Sequence, residues 1–125
     1  MIICSLITVL IVEDSLSELE LMSHYLDNGD YKIVKSTGAK EAFDIALKDS
    51  IDVVISDVVM PEMSGFELCR QLKRNPVTEK LPIILCTSKN QEIDKLWGIK
   101  QGASAYLTKP YTREQLIETI QSVFV

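Results

Sequence analysis

A chain of 125 residues, 46% hydrophobic and 25% charged, carries enough apolar material for one substantial core and too much to stay disordered. Its net charge of −5 repels a phosphate backbone, which argues against nucleic-acid binding by this chain. Three cysteines, Cys4, Cys69 and Cys86, lie far apart and form no C-x-x-C, so they read as reduced core thiols of a cytoplasmic protein, not as a disulfide framework.

The opening run MIICSLITVLIV is apolar for only about 12 residues before it meets Glu13 and Asp14, whereas a spanning helix needs about 20. It has no basic leader region, since the first lysine is Lys32. Its Ile, Val and Thr content predicts a buried strand over residues 7–12, without membrane insertion. A helix is expected over 15–28, where Leu19, Met22 and Leu26 fall on one face at i, i+3 and i+7. A weaker strand follows at 32–36 and a helix at 39–48. The DVVIS run predicts a strand over 52–56, and a helix follows at 64–74, with Gly65 serving backbone geometry after the preceding loop. LPIILCT predicts a strand over 81–87. Residues 91–101 read as a helix closed by Gly102, 103–108 as the fifth strand, and 112–124 as the last helix.

Helix starts are marked by Ser15 with Glu18, Ser64 with Glu67, and Thr112 with Gln115, each spaced as a capping box. The first, third and fourth strands are apolar throughout, as strands buried on both faces are. Five strand–helix repeats of this kind predict an α/β protein, a five-stranded parallel sheet doubly wound as (βα)5, in a single domain over residues 1–125.

Ligands of such sheets bind at the carboxyl ends of the strands. There the sequence places Glu13 and Asp14 after the first strand, Asp57 after the third, Thr87 and Ser88 after the fourth, and Lys109 and Pro110 after the fifth. Three carboxylates brought together raise one another's pKa and call for a cation. A small all-oxygen site that keeps waters suits Mg²⁺, and Lys109 adds a second positive charge. An Asp beside a metal, an ammonium and a hydroxyl is equipped to attack phosphorus.

Each residue also has a plainer reading. Glu13 and Asp14 fit a strand-to-helix junction, Asp57 a turn before Pro61, and Ser88 with Gln91 a helix cap that Thr87 could share. Tyr106 could be an inert sheet residue, Lys109-Pro110 an ordinary strand end, and His24 a surface residue. Trp97 could serve as packing or as a partner anchor.

The segments VLIVEDS, VVISDVVMPEMSGFELC, PIILCTS and GASAYLTKPY, in this order and spacing, resemble the receiver domain of two-component response regulators, a CheY-like fold of flavodoxin topology. The resemblance implies that Asp57 is the phosphoacceptor and that Glu13, Asp14, Asp57 and the backbone carbonyl of Val59 hold Mg²⁺. It implies that Thr87 and Ser88 meet the phosphoryl group, that Tyr106 is a rotamer switch, and that Lys109 contacts the phosphoryl group ahead of a cis peptide to Pro110. The output surface would include Trp97, Tyr106 and Tyr111. The phosphoryl donor would be a histidine kinase or histidine phosphotransfer protein, and the recipient of the signal a downstream motility or signalling protein. The stretch KNQEIDKLWGIKQG, followed by AYLTKP, is similar to single-domain regulators of the chemotaxis-like systems that control type IV pilus motility. Glu13 departs from the commoner Asp and lengthens that arm by one methylene, so altered metal affinity is expected.

A haloacid-dehalogenase-like phosphatase is the main competing reading, but its D-x-D motif and cap domain have no counterpart in the adjacent Glu13-Asp14. A flavodoxin-like electron carrier would need a hydroxyl- and glycine-rich loop where EDSLSE stands. A degenerate receiver acting as a scaffold fits poorly with a full set of site residues. Whether the chain drives an output or serves as a phosphate sink stays open. Val59 and Lys89, the positions flanking an attacking water, offer it no acceptor, so slow loss of the phosphoryl group is expected.

Overall fold

The computed structural model describes residues 6–27, 29–88 and 92–124, except the side chains of residues 92 and 93. Ten elements alternate: β1 (Ile7–Val12), α1 (Leu16–Tyr25), β2 (Tyr31–Ser36), α2 (Ala39–Lys48), β3 (Val53–Asp57), α3 (Gly65–Arg74), β4 (Ile83–Thr87), α4 (Glu92–Lys100), β5 (Ala105–Thr108) and α5 (Arg113–Ser122). The five strands form one parallel sheet in the order β2-β1-β3-β4-β5. This is the doubly wound architecture that the alternating pattern predicts.

Strand periodicity divides the core in two. Leu10, Val12, Val54, Ile83 and Leu85 point to one face and pack with Ala42, Leu68 and Leu72 of α2 and α3. Val9, Ile11, Val53, Ile55, Ile84 and Cys86 point to the other and pack with Leu19, Met22, Leu116 and Ile120 of α1 and α5. β1, β3 and β4 are central, and β3 and β4 are buried at every position. The edge strand β2 is only half-buried, which explains its weak sequence signal.

Most element ends move by one or two residues from their sequence positions; α2 keeps its expected bounds, and α1 ends at Tyr25, three residues before the expected end. β4 begins at Ile83 because Pro82 has no N–H to give the ladder, although its carbonyl accepts from Val54 at 3.0 Å. β3 extends to Asp57, so the carboxylate sits on the strand itself. The expected helix start at Gln91, the helix end at Asn28, and residues Cys4 and Lys89 lie outside the described residues.

The three capping boxes have different fates. Thr112 and Gln115 satisfy each other's backbone N–H groups at 3.1 and 2.9 Å. Ser64 accepts from the Glu67 N–H at 3.2 Å, while the Glu67 carboxylate pairs with Arg70. The box at Ser15 does not form. Ser15 Oγ meets Ser17 Oγ at 3.2 Å, and the Glu18 carboxylate is drawn to an ammonium instead, a stronger partner than a neutral backbone amide.

The loop from β3 to α3 folds back tightly: the Gly65 N–H donates to the Val58 carbonyl at 2.9 Å. A Cβ on Gly65 would collide with the Asp57 carbonyl oxygen and lie 3.0 Å from Val58 Cα, both backbone atoms. Glycine is therefore required by close approach. Gly102 closes α4 at φ +102°, where a side chain would be strained. Gly65→Ala should lower stability by about 1–3 kcal/mol, because the backbone carrying Asp57 must move. Urea denaturation would show a lower midpoint at unchanged slope.

Candidate phosphoryl-acceptor and metal site

The chain order reverses direction at β1, which lies between β2 and β3. The carboxyl ends of β1 and β3 flank that switch point, where doubly wound sheets leave a crevice. Glu13 follows β1 directly. Its N–H donates to the Ser36 carbonyl of β2 at 3.0 Å, and its Oε2 accepts from the Ser15 N–H at 3.2 Å. Its side chain is 1% exposed. Asp14 is exposed. Asp57, at the end of β3, is 8% exposed, and its Oδ1 accepts from the Val58 N–H at 2.9 Å.

Glu13, Asp14 and Asp57 each offer a carboxylate oxygen within 4.8 Å of the others. This is an all-oxygen donor set with little charge compensation of its own, and it fits a small hard divalent cation. Val59 stands two residues past Asp57 with an exposed side chain that lines the adjoining cavity.

Lys109 reaches in from the end of β5. Its backbone N–H donates to the Thr87 carbonyl at 2.8 Å, tying the end of β5 to β4, and the peptide to Pro110 is cis. Lys109 Nζ lies 2.8 Å from Glu13 Oε1, 2.9 Å from Glu18 Oε2 and 3.6 Å from Asp57 Oδ1. Three carboxylates thus share one ammonium. Burial pushes the Glu13 carboxyl up to about 7 against the pull of Lys109. Burial also raises Asp57, again opposed by Lys109. The hydrogen bond from Lys109 holds Glu18 below its ordinary value. Burial would lower the Lys109 ammonium, but its bonds to Glu13 and Glu18 outweigh that and keep it charged.

Thr87 is buried at the end of β4, and Ser88 is exposed beside it. Both line a cavity of about 610 Å³ together with Asp57, Glu18, Lys109 and Tyr111. The sequence-derived residues Glu13, Asp14, Asp57, Thr87, Ser88 and Lys109 therefore converge. Sequence reasoning assigned Glu18 to a helix cap and missed its place at the site. The available signal was an acid one helical turn past Asp14, on the first turn of the helix that begins at the crevice.

Tyr106 and Tyr111 separate. Tyr106 packs into the core layer of α2 and α3, and a Cβ on Gly98 of α4 would lie 3.1 Å from its ring. Trp97, next to Gly98, is 52% exposed. Tyr111 packs on the opposite layer, edge-on to Tyr25 with ring centroids 6.2 Å apart. Tyr106 and Tyr111 thus pack on opposite layers next to β5, the edge strand of the sheet. His24 is exposed, and the thiol of Cys86, buried beneath the site, is pushed up to about 12.

Residues 9–121 match the family model of the response regulator receiver domain. The chain is 39% identical over 115 residues to Protein PilH of Pseudomonas aeruginosa, covering 92% of this chain and 95% of that protein. It is 32% identical over 116 residues to the phosphate regulon transcriptional regulatory protein PhoB of the same species, of which it spans about half the length, 51%. Among solved structures, the chemotaxis response regulator CheY4 of Vibrio cholerae superimposes with a TM-score of 0.89 at 34% identity, covering 95% of this chain and 99% of that one. The chain belongs to the response regulator receiver domain family.

Proposed function

We propose that this chain is a phosphorylation switch, one receiver domain over residues 1–125, in which Asp57 takes a phosphoryl group from a phosphohistidine on a histidine kinase or a histidine phosphotransfer protein. The observation that carries this reading is the convergence of Asp57, Glu13, Asp14, Thr87 and Lys109 at the switch point of a doubly wound sheet.

A carboxylate oxygen of Asp57 attacks phosphorus in line with the leaving nitrogen. The new O–P bond forms as the P–N bond breaks, and the bonding pair leaves with the imidazole nitrogen. Glu13, Asp14, Asp57 and the Val59 carbonyl would hold Mg²⁺, which when bound would supply positive charge beside the acceptor. Lys109 neutralises a further phosphoryl oxygen, and the Thr87 hydroxyl donates to another. The apolar side of the cavity, with Met22, Tyr25 and Tyr111, limits water around the acceptor.

The chain then acts by changed protein binding, not as an enzyme. Its cytoplasmic placement is consistent with reduced, buried Cys69 and Cys86. No helix among the described residues is long and apolar enough to cross a membrane. Output runs through the face that carries Trp97 and Tyr106, away from Tyr111. The likeness to Protein PilH, together with the KNQEIDKLWGIKQG segment, favours a downstream partner in chemotaxis-like control of pilus motility.

Treatment with acetyl phosphate and Mg²⁺ should add one phosphoryl group per molecule by mass spectrometry, and Asp57→Asn should abolish it. Labelling that survives the substitution would place the acceptor elsewhere. Amide NMR should show saturable Mg²⁺ binding, weakened at least several-fold in Asp14→Ala; equal affinity would remove Asp14 from the metal site. In EDTA, Asp57→Asn should raise stability by about 1 kcal/mol, a thermal midpoint shift of roughly 3–5 °C at this length. The sign follows from the raised pKa of Asp57: its ionised form is disfavoured by folding, so a neutral replacement relieves the native state.

A further inference from the structure

Lys109 can donate three hydrogen bonds, and two of them go to glutamates. Its distance to Asp57 is longer, 3.6 Å against 2.8 Å to Glu13 and 2.9 Å to Glu18. A phosphoryl oxygen carried on Asp57 needs this ammonium to turn toward it, and the turn loosens one of the two short bonds. The two glutamates differ greatly in what that loosening involves. Glu13 is 1% exposed, so water cannot replace a hydrogen bond that it gives up. The Glu18 side chain is 46% exposed and regains water readily. Glu18 is also a carboxylate of α1 that lines the same cavity as Asp57, and the cap expected on Ser15 is not made.

We propose that Glu18 is a positioning residue, a latch that holds the Lys109 ammonium away from Asp57 until a phosphoryl oxygen displaces it. The proposal rests on the receiver reading and adds a regulatory device to the same site. While the latch is closed, Lys109 is shared between two glutamates and only grazes the acceptor. When the phosphoryl group arrives, the Glu18 bond is exchanged for a Lys109–phosphoryl bond, and Glu18 turns to solvent. The latch therefore sets how firmly the phosphorylated form is held, without contacting the phosphoryl group.

Beryllofluoride, a tetrahedral phosphoryl mimic, tests this by calorimetric titration of the whole chain, with Mg²⁺ saturating for each variant. Glu18→Gln should bind it about 2- to 5-fold more tightly than wild type, the range spanned by a partly exposed ion pair. Glu18→Asp keeps the charge but is one methylene too short for the bond, so it should tighten binding as well. Unchanged or weaker binding in Glu18→Gln would overturn the latch. So would tightening in Glu18→Gln alone, because the effect would then belong to net charge and not to the bond with Lys109. Failure of every variant to bind, wild type included, would overturn the receiver reading along with the latch.

Discussion

The Lys109 ammonium lies 2.8 Å from a glutamate with almost no access to water, and the rest of the site is arranged around that contact. Glu13 tolerates burial because Lys109 and the Ser15 N–H divide its two oxygens between them. Asp57 and Glu18 then compete for the same cation. One ammonium beside Glu13, Asp14, Glu18 and Asp57 leaves the crevice acidic, and the converging carboxylate oxygens of Glu13, Asp14 and Asp57 fit a divalent metal. The added methylene of Glu13 bears on this balance. The side chain is long enough to engage both Lys109 and the turn into α1, so the residue braces the crevice as well as supplying an oxygen.

The fold explains why these groups meet although they are separated in sequence by as many as 96 residues. Glu13, Asp14, Asp57, Thr87 and Lys109 lie at or just past the carboxyl end of a parallel strand, and the register pairs Val12 with Ser56, Asp57 with Cys86, and Thr87 with Thr108. Parallel alignment brings those ends to one edge, while helices on both faces keep the strands buried. The alternating apolar runs made this legible from sequence: strands buried on both faces leave few architectures besides a doubly wound sheet, and in that sheet the strand ends are the binding edge. Asp57, Glu13, Asp14, Thr87, Ser88 and Lys109 could be gathered on that logic alone.

What escaped the sequence was the competition between partners. Ser15 and Glu18 have the spacing of a capping box, and local spacing carries no sign that a lysine 91 residues away will claim the carboxylate. A charged donor outcompetes a backbone amide, so the tertiary contact prevails over the local one. The separation of Tyr106 from Tyr111 has a different origin. The chain crosses from β5 into the loop before α5 between them, and the cis peptide at Pro110 lies in that crossing. Alternation along a strand predicts the side of Tyr106 but not of a residue past the strand's end.

This separation gives the two sides of the sheet different work under the proposed function. The cavity beside Asp57 opens toward α1 and the β5–α5 loop, where Leu21, Tyr25 and Tyr111 line it, so a donor protein has an apolar surface to meet there. Tyr106 lies on the other layer, against Gly98 and Leu85, with Trp97 exposed nearby. The link between them is short. Thr87 pairs with Thr108, and Leu85 with Tyr106, so the hydroxyl at the crevice and the ring under α4 are two residues apart along adjoining strands. Under the proposed function, a displacement of Thr87 toward a phosphoryl group would act on the strand end next to that ring. The ring has little slack, because Gly98 leaves no Cβ between α4 and β5 and a methyl there would already crowd it. A close-packed contact of this kind favours two discrete arrangements over a graded response, which is what a switch requires.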